Sequence, residues 1–202
     1  MYHLTKSVWA AFTRKEEYSV VILGLDNAGK TTLVEQLKNI YSRSGTKDLA
    51  GTQTVPTVGQ NVARISVDGV QVRLWDLGGQ EALREMWSHY YSQSHAVLFV
   101  VDSTDRPRLN ECCSELDMIV SQDVLAGIPI LMLANKQDRD ERLEVEDIKE
   151  IFNGMAEKLG ARDSRVLPIC ALDGTGVRDA AEWVLSRMVR NKHLRPPMLV
   201  EK

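Results

Sequence analysis

The chain alternates between short, wholly apolar runs and longer segments in which apolar residues return every three or four positions. The runs Val20–Leu23, Ala96–Val101 and Ile130–Leu133 predict buried strands, and Val166–Ile169 predicts the last strand. Between them, Thr31–Ile40, Glu81–Ser92, Leu109–Leu125, Asp147–Leu159 and Val177–Val189 predict amphipathic helices. Val62–Val67 and Val70–Trp75 flank Asp68-Gly69, a strong signal for a hairpin turn. Strands alternating with helices, plus one hairpin, predict an α/β domain. Its sheet should be six-stranded and mostly parallel, with helices on both faces and ligands bound where the strands end.

Three stretches fall outside that alternation. Residues 2–12 carry Leu4, Val8, Ala11 and Phe12 on one helical stripe with Trp9 at its margin, and Lys6, Arg14 and Lys15 nearby. That pattern fits either a terminal helix packed on its own domain or a weak interfacial membrane helix. Residues 42–54 are polar and rich in Gly, Ser and Thr, which predicts a connection rather than a core element. The tail Arg195-Pro-Pro-Met-Leu-Val-Glu-Lys lacks a terminal cysteine for prenylation, and Tyr2 stands where a myristoyl glycine would be. The expected organisation is an N-terminal amphipathic helix over 1–14, one domain over 15–192 and a tail over 193–202.

Composition narrows the class. A chain of 202 residues with 44% hydrophobic and 26% charged residues can bury a substantial single core, and a net charge of -3 gives no global attraction to nucleic acid. The three cysteines, two of them adjacent (Cys112, Cys113) and the third at Cys170, suit reduced thiols better than a disulfide framework or a zinc site. No apolar stretch approaches the roughly 20 residues that span a bilayer, and the start does not read as a secretory signal.

The chemistry concentrates after the first strand. Gly24-x4-Gly29-Lys30-Thr31 is a phosphate-binding loop pattern, with a strand before it and a helix after it. A chance match in a chain this long is on the order of 1%. Glycines let successive amides turn toward phosphate oxygens, and the helix N-terminus adds partial positive charge. Lys30 is placed to neutralise β- and γ-phosphates, and Thr31 offers a hydroxyl to Mg²⁺. Asp26, Asn27, Ala28 and Thr32 complete the candidate nucleotide-binding stretch.

Later loops add matching parts. Thr57, after the rigid Pro56, can reach Mg²⁺ and a γ-phosphate, and Asp76, closing the hairpin's second strand, can hold the ion through water. Gly79 can bring its amide to the γ-phosphate, and Gln80 can orient an attacking water as the catalytic residue. Asn135-Lys136-Gln137-Asp138 follows the strand Ile130–Leu133. A carboxylate at Asp138 accepting from the guanine N1–H and exocyclic amine rejects adenine, and Lys136 can lay its stem over the base. Amides of Cys170, Ala171 and Leu172, after the last strand, can meet the guanine carbonyl.

Together, Gly-Leu-Asp-x-Ala-Gly-Lys-Thr (24–31), Val-Pro-Thr-Val-Gly (55–59), Trp-Asp-Leu-Gly-Gly-Gln-Glu (75–81) and Ala-Asn-Lys-Gln-Asp (134–138) resemble the motifs of the Ras-superfamily GTPases, and more narrowly the Arf/Arl family. The resemblance covers residues 1–190 and implies the P-loop small-GTPase fold. It also implies a monomer that hydrolyses GTP to GDP, slowly unless a GTPase-activating protein assists. The Met-Tyr start, the long segment 42–54 and Arg195-Pro196-Pro197 most resemble the Arf-related branch at the trans-Golgi. That implies a cytosolic protein recruited to Golgi membranes, with an exchange factor, an activating protein and effectors there, and an integral membrane receptor for an acetylated N-terminus. Trp75 and Tyr90 resemble the family's effector-facing aromatics, whereas Gln60 departs from the Phe usual there. Three other readings compete: an Arf-like GTPase of another membrane, a nucleotide-dependent scaffold that never hydrolyses, and a nucleotide kinase, which would need no Asn-Lys-x-Asp.

Overall fold

The computed structural model describes residues 14–41 and 57–201. The candidate helix 2–12, the polar segment 42–54 and Val55-Pro56 lie outside the described residues.

β1 (Arg14–Leu23), β2 (Gln60–Val67), β3 (Val70–Leu77), β4 (Ala96–Asp102), β5 (Ile130–Asn135) and β6 (Ser164–Pro168) form a sheet in the order β2-β3-β1-β4-β5-β6. β2 runs antiparallel to β3, and the remaining neighbours along this path are parallel. Along β1, Val20 and Ile22 enter one core while Val21 and Leu23 enter the other, because successive side chains point to opposite faces. One core packs α4 (Leu109–Val120) and α5 (Val145–Asn153) through Leu116, Ile119, Ile148 and Phe152. The opposite core packs α1 (Lys30–Tyr41) and α7 (Val177–Arg190) through Leu33, Leu37, Val184 and Met188. Every residue of β4 and β5 is buried, which explains their unbroken apolar runs.

The structure departs from the expected elements where tertiary contacts override local pattern. Residues 81–91 form one-turn α2 (Glu81–Arg84), a 3₁₀ turn (Glu85–Trp87) and α3 (Ser88–Tyr91) instead of one helix. There Trp87 turns inward and donates Nε1–H to Gly78 O at 2.9 Å. α4 stops at Val120, and Gly154 separates α5 from α6 (Ala156–Leu159), as the poor helix propensity of glycine allows. The expected six strands gain a seventh, β7 (Met198–Glu201), from the tail, which pairs antiparallel with the polar start of β1 from Glu17↔Met198 to Arg14↔Glu201.

Candidate functional site

The loops after β1, β3, β5 and β6 leave the carboxyl ends of their strands, Thr57 leads into the amino end of antiparallel β2 on the same side, and most of these residues surround one cleft above α1. Thr57, Gly79 and Gln80 line one side of it, Asp26 and Lys30 the floor, and Lys136 the far end.

The floor is the loop between β1 and α1. Gly29 has φ +93°, and a Cβ there would lie 2.3 Å from Asn135 Nδ2, so only glycine fits. Asn27 takes a left-handed turn at φ +61°. Lys30 is buried at 6% exposure, and its ammonium donates to Gly24 O at 2.8 Å and Leu25 O at 2.6 Å. Burial lowers its pKa to about 8, with Asp76 and Asp26 pulling it back up. Asp26 turns its carboxylate away from the phosphate side, to Arg108 at 2.8 Å, and Arg108 also pairs with Asp105. That ion pair accounts for a carboxylate so close to a phosphate loop. Ala28 is buried beneath the loop, and Thr32 lines the cleft from α1.

Beside Lys30, three oxygens converge. Thr31 Oγ1 lies 2.8 Å from Thr57 Oγ1 and donates to Asp76 Oδ2 at 2.7 Å. Asp76 is wholly buried, and its Oδ1 meets no hydrogen-bond partner among the described residues. Burial raises the Asp76 pKa, opposed by the Thr31 hydrogen bond and the Lys30 charge. An orphaned buried carboxylate oxygen next to two hydroxyls is a donor set that suits a hard divalent cation such as Mg²⁺.

Gly79 closes the roof. A Cβ there would sit 2.4 Å from both Leu25 C and Lys30 Nζ, so the backbone of this loop is wedged against the phosphate loop. Gln80 is exposed, in extended conformation at the start of α2.

At the far end, Asn135 is 2% exposed, donates Nδ2–H to Ala28 O at 2.8 Å and accepts the Ala171 amide at 2.9 Å. It therefore braces two loops against each other, a role its motif did not reveal. Lys136, at φ +66°, anchors its ammonium on Asp102 at 2.6 Å. The Asp138 carboxylate faces Cys170 Sγ at 3.4 Å, and burial pushes the Cys170 thiol up to about 11. Of the loop amides expected to meet a guanine carbonyl, that of Cys170 already donates to Thr175 O. The Ala171 amide would share its proton between Asn135 and a base oxygen, and Leu172 follows in the same loop. Sequence reasoning also missed Arg84 and Trp87, whose contacts beneath Gly78-Gly79 arise only in three dimensions.

Known proteins give the same picture. Residues 4–188 match the model of the ADP-ribosylation factor family. The chain is 57% identical over 199 residues to ADP-ribosylation factor-like protein 3 of Saccharomyces cerevisiae, covering 98% of this chain and 99% of that one. It is 43% identical over 197 residues to ADP-ribosylation factor-related protein 1 of Bos taurus, covering 98% and 97%. Among solved structures, the Arl6 small GTPase of Trypanosoma brucei, bound to the nucleotide analogue GppNp, superposes with a TM-score of 0.75 at 30% identity, covering 86% of this chain and 98% of that one. With its phosphate loop, sheet order and family match in agreement, the chain belongs to the ADP-ribosylation factor family and is a small GTPase, hydrolysing GTP to GDP.

Proposed function

We propose that this GTPase is a switch in Golgi membrane trafficking, recruited to the membrane and to effectors when GTP is bound. The convergence of Thr31, Thr57 and buried Asp76 carries the reading. Thr31 and Thr57 would hold Mg²⁺ directly and Asp76 through water; when bound, the ion neutralises charge on the β- and γ-phosphate oxygens. Lys30, desolvated on loop carbonyls, would regain a counter-charge by turning to the same phosphates. The Gly79 amide would contact the γ-phosphate, and Gln80, free at the rim, would orient the attacking water.

Unassisted hydrolysis should be slow. Of the described arginines near the phosphate loop and Gly79, Arg84 is committed to Glu111 and Glu115, and Arg108 to Asp26 and Asp105. Neither is available to stabilise the transferred phosphoryl group, so a GTPase-activating protein would bring that arginine. At the base end, Asp138 would select guanine, the anchored stem of Lys136 would cover the base, Asn135 would fix both loops, and the Cys170–Leu172 loop would face the guanine carbonyl.

The hairpin supplies the switch. In the register seen, Val72 pairs with Tyr18 and Asp76 with Ile22, and the Gly78 amide donates to Gly59 O at 3.0 Å. This register brings Thr57 and Gly79 to the cleft. A slide by two residues, about 7 Å, would withdraw both while keeping inward side chains inward. GTP is read as the ligand that holds the register seen, and the slide as the motion that couples it to release of residues 2–12 toward the membrane. The likeness to ADP-ribosylation factor-related protein 1 supports the Golgi as the site of action, with an exchange factor, effectors and an integral receptor for the N-terminus there. Flotation on Golgi membranes of GTP- and GDP-loaded protein, with and without residues 1–12, tests this. GTP-dependent flotation that requires those residues is expected, and equal flotation in both states would refute the switch.

A further inference from the structure

Gly79 sits between two consecutive peptide planes, and a different side chain holds the carbonyl of each. Trp87, 2% exposed, donates Nε1–H to Gly78 O at 2.9 Å. Arg84 donates Nε–H to Gly79 O at 3.0 Å. In a trans peptide the carbonyl and the following amide point in opposite directions. Fixing Gly78 O therefore aims the Gly79 N–H, and fixing Gly79 O aims the Gln80 N–H, each away from its anchor.

The rest of the Arg84 fork explains why that anchor is firm. NH1 pairs with Glu115 at 2.7 Å and NH2 with Glu111 at 2.6 Å, and the side chain is only 9% exposed. The two glutamates are four residues apart on α4, so both present their carboxylates on one face of a helix packed into the core. A planar guanidinium with three occupied edges cannot rotate without breaking charge-assisted bonds. Lysine, with one ammonium, cannot reproduce that set. The opposite side of Gly79 is equally constrained, since a Cβ would strike Leu25 C and Asp26 N.

We propose that Arg84 is a positioning residue for triphosphate recognition, acting with Trp87 to hold the Gly78-Gly79 backbone so that the Gly79 and Gln80 amides face the γ-phosphate. Nucleoside triphosphate and diphosphate then differ in whether they use this pinned backbone. Helix α4 is the fixed body against which it is held. The proposal rests on the guanine-nucleotide reading of the cleft, and its test separates the two.

The experiment measures dissociation rates of GTPγS and GDP from the Mg²⁺-loaded full chain, for wild type, Arg84→Gln and Arg84→Lys. Loss of one charge-assisted hydrogen bond on a γ-phosphate contact corresponds to about a tenfold faster GTPγS release. GDP release should stay within about twofold, since the diphosphate does not use the contact. Arg84→Lys should behave like Arg84→Gln, because charge without the fork does not hold the carbonyl. Should both fail to fold, Glu111→Gln/Glu115→Gln removes the anchors while leaving the arginine, and about a threefold rise in the GTPγS-to-GDP ratio of release rates is expected. An unchanged ratio in whichever of these variants folds would overturn the proposal. Wild-type protein that binds neither nucleotide would instead overturn the guanine-nucleotide reading.

Discussion

The two ends of the central strands handle their buried charged groups in different ways. At the end where β1 and β3 finish, Asp76 keeps a buried oxygen without a partner among the described residues, Lys30 rests on two carbonyls, and Asn27 and Lys136 adopt left-handed backbone. At the end where β1 begins, an imidazole, a carboxylate and two guanidinium groups find partners inside the protein, although Ser19 Oγ and Arg73 Nε meet none among the described residues. Ser19 N–H donates to His95 Nδ1 at 3.0 Å, leaving Nε2–H for Pro196 O at 3.0 Å, which fixes a neutral imidazole. Glu17 pairs with Arg64 and Arg73, and Arg195 donates to the carbonyls of Ser92 and Val124. An unsatisfied buried group costs about 1–3 kcal/mol, and the orphaned oxygen of Asp76 and the desolvated ammonium of Lys30 belong to charged groups that a ligand can complete. The beginning of β1 holds its carboxylate in ion pairs within the protein, and the cleft presents charged groups that a bound ion and nucleotide would complete.

Substitutions at the two ends should separate accordingly. The largest effect is expected for Gln80→Leu, which should abolish activating-protein-stimulated turnover, a process worth about 10³ to 10⁵ in rate, while nucleotide still binds. Single-turnover hydrolysis with and without a GTPase-activating protein measures it, and normal stimulation would remove Gln80 from its assigned role. Next comes Lys30→Ala, expected to weaken both GDP and GTP by about 100-fold or more, because a desolvated cation on phosphate is lost. Equilibrium binding would show it, with thermal stability of the nucleotide-free protein unchanged or raised. Thr31→Asn should shift the remaining occupancy toward GDP or the empty state.

Smaller and opposite in kind is the effect of His95→Ala. Leaving the buried Ser19 amide and the Pro196 carbonyl unpaired should cost about 1–3 kcal/mol in unfolding free energy, with nucleotide affinities unchanged. Any loss of GDP affinity beyond that explained by unfolding would blur the distinction between the ends. The smallest signal is in pH. Burial depresses the pKa of His95 below its ordinary 6.5, against a background of Arg195 nearby and the Tyr18 ring packed edge-on. The neutral form is favoured in the folded state, so its contribution is present above pH 6.5 and lost as pH falls through the folded pKa. Denaturant melts between pH 7 and 5 should show the decline in wild type and less of it in His95→Ala.

Much of the cleft was legible from the chain because its chemistry is local. The phosphate loop and Asn135-Lys136-Gln137-Asp138 each follow an apolar run that has to be a strand, and Asp76 closes the second strand of a hairpin marked by Asp68-Gly69, so their position at one sheet edge follows from the pattern alone. The seventh strand was not legible, since its partner, the polar start of β1, lies more than 180 residues away in sequence and shows no apolar period. The broken helix after Gln80 escaped for a related reason: Trp87 fits a helical stripe equally well whether it packs sideways or turns back to Gly78. The Asn135 brace and the Arg84 fork are likewise invisible in sequence. The Asn135 motif does not name the two loops that this side chain holds together, and Arg84 lies outside every quoted motif.

The claim on which the rest depends is that a cradle of amides and Lys30 grips the phosphates while Asp138 alone chooses the base. Competition of GDP against ADP for nucleotide-free protein, in wild type and Asp138→Ala, tests it most directly. Wild type should prefer GDP by about 10³-fold or more, because adenine leaves the carboxylate unpaired, and Asp138→Ala should lose that preference through weaker GDP binding with ADP affinity little changed. A wild-type preference for ADP, or guanine selectivity that survives Asp138→Ala intact, would contradict the account.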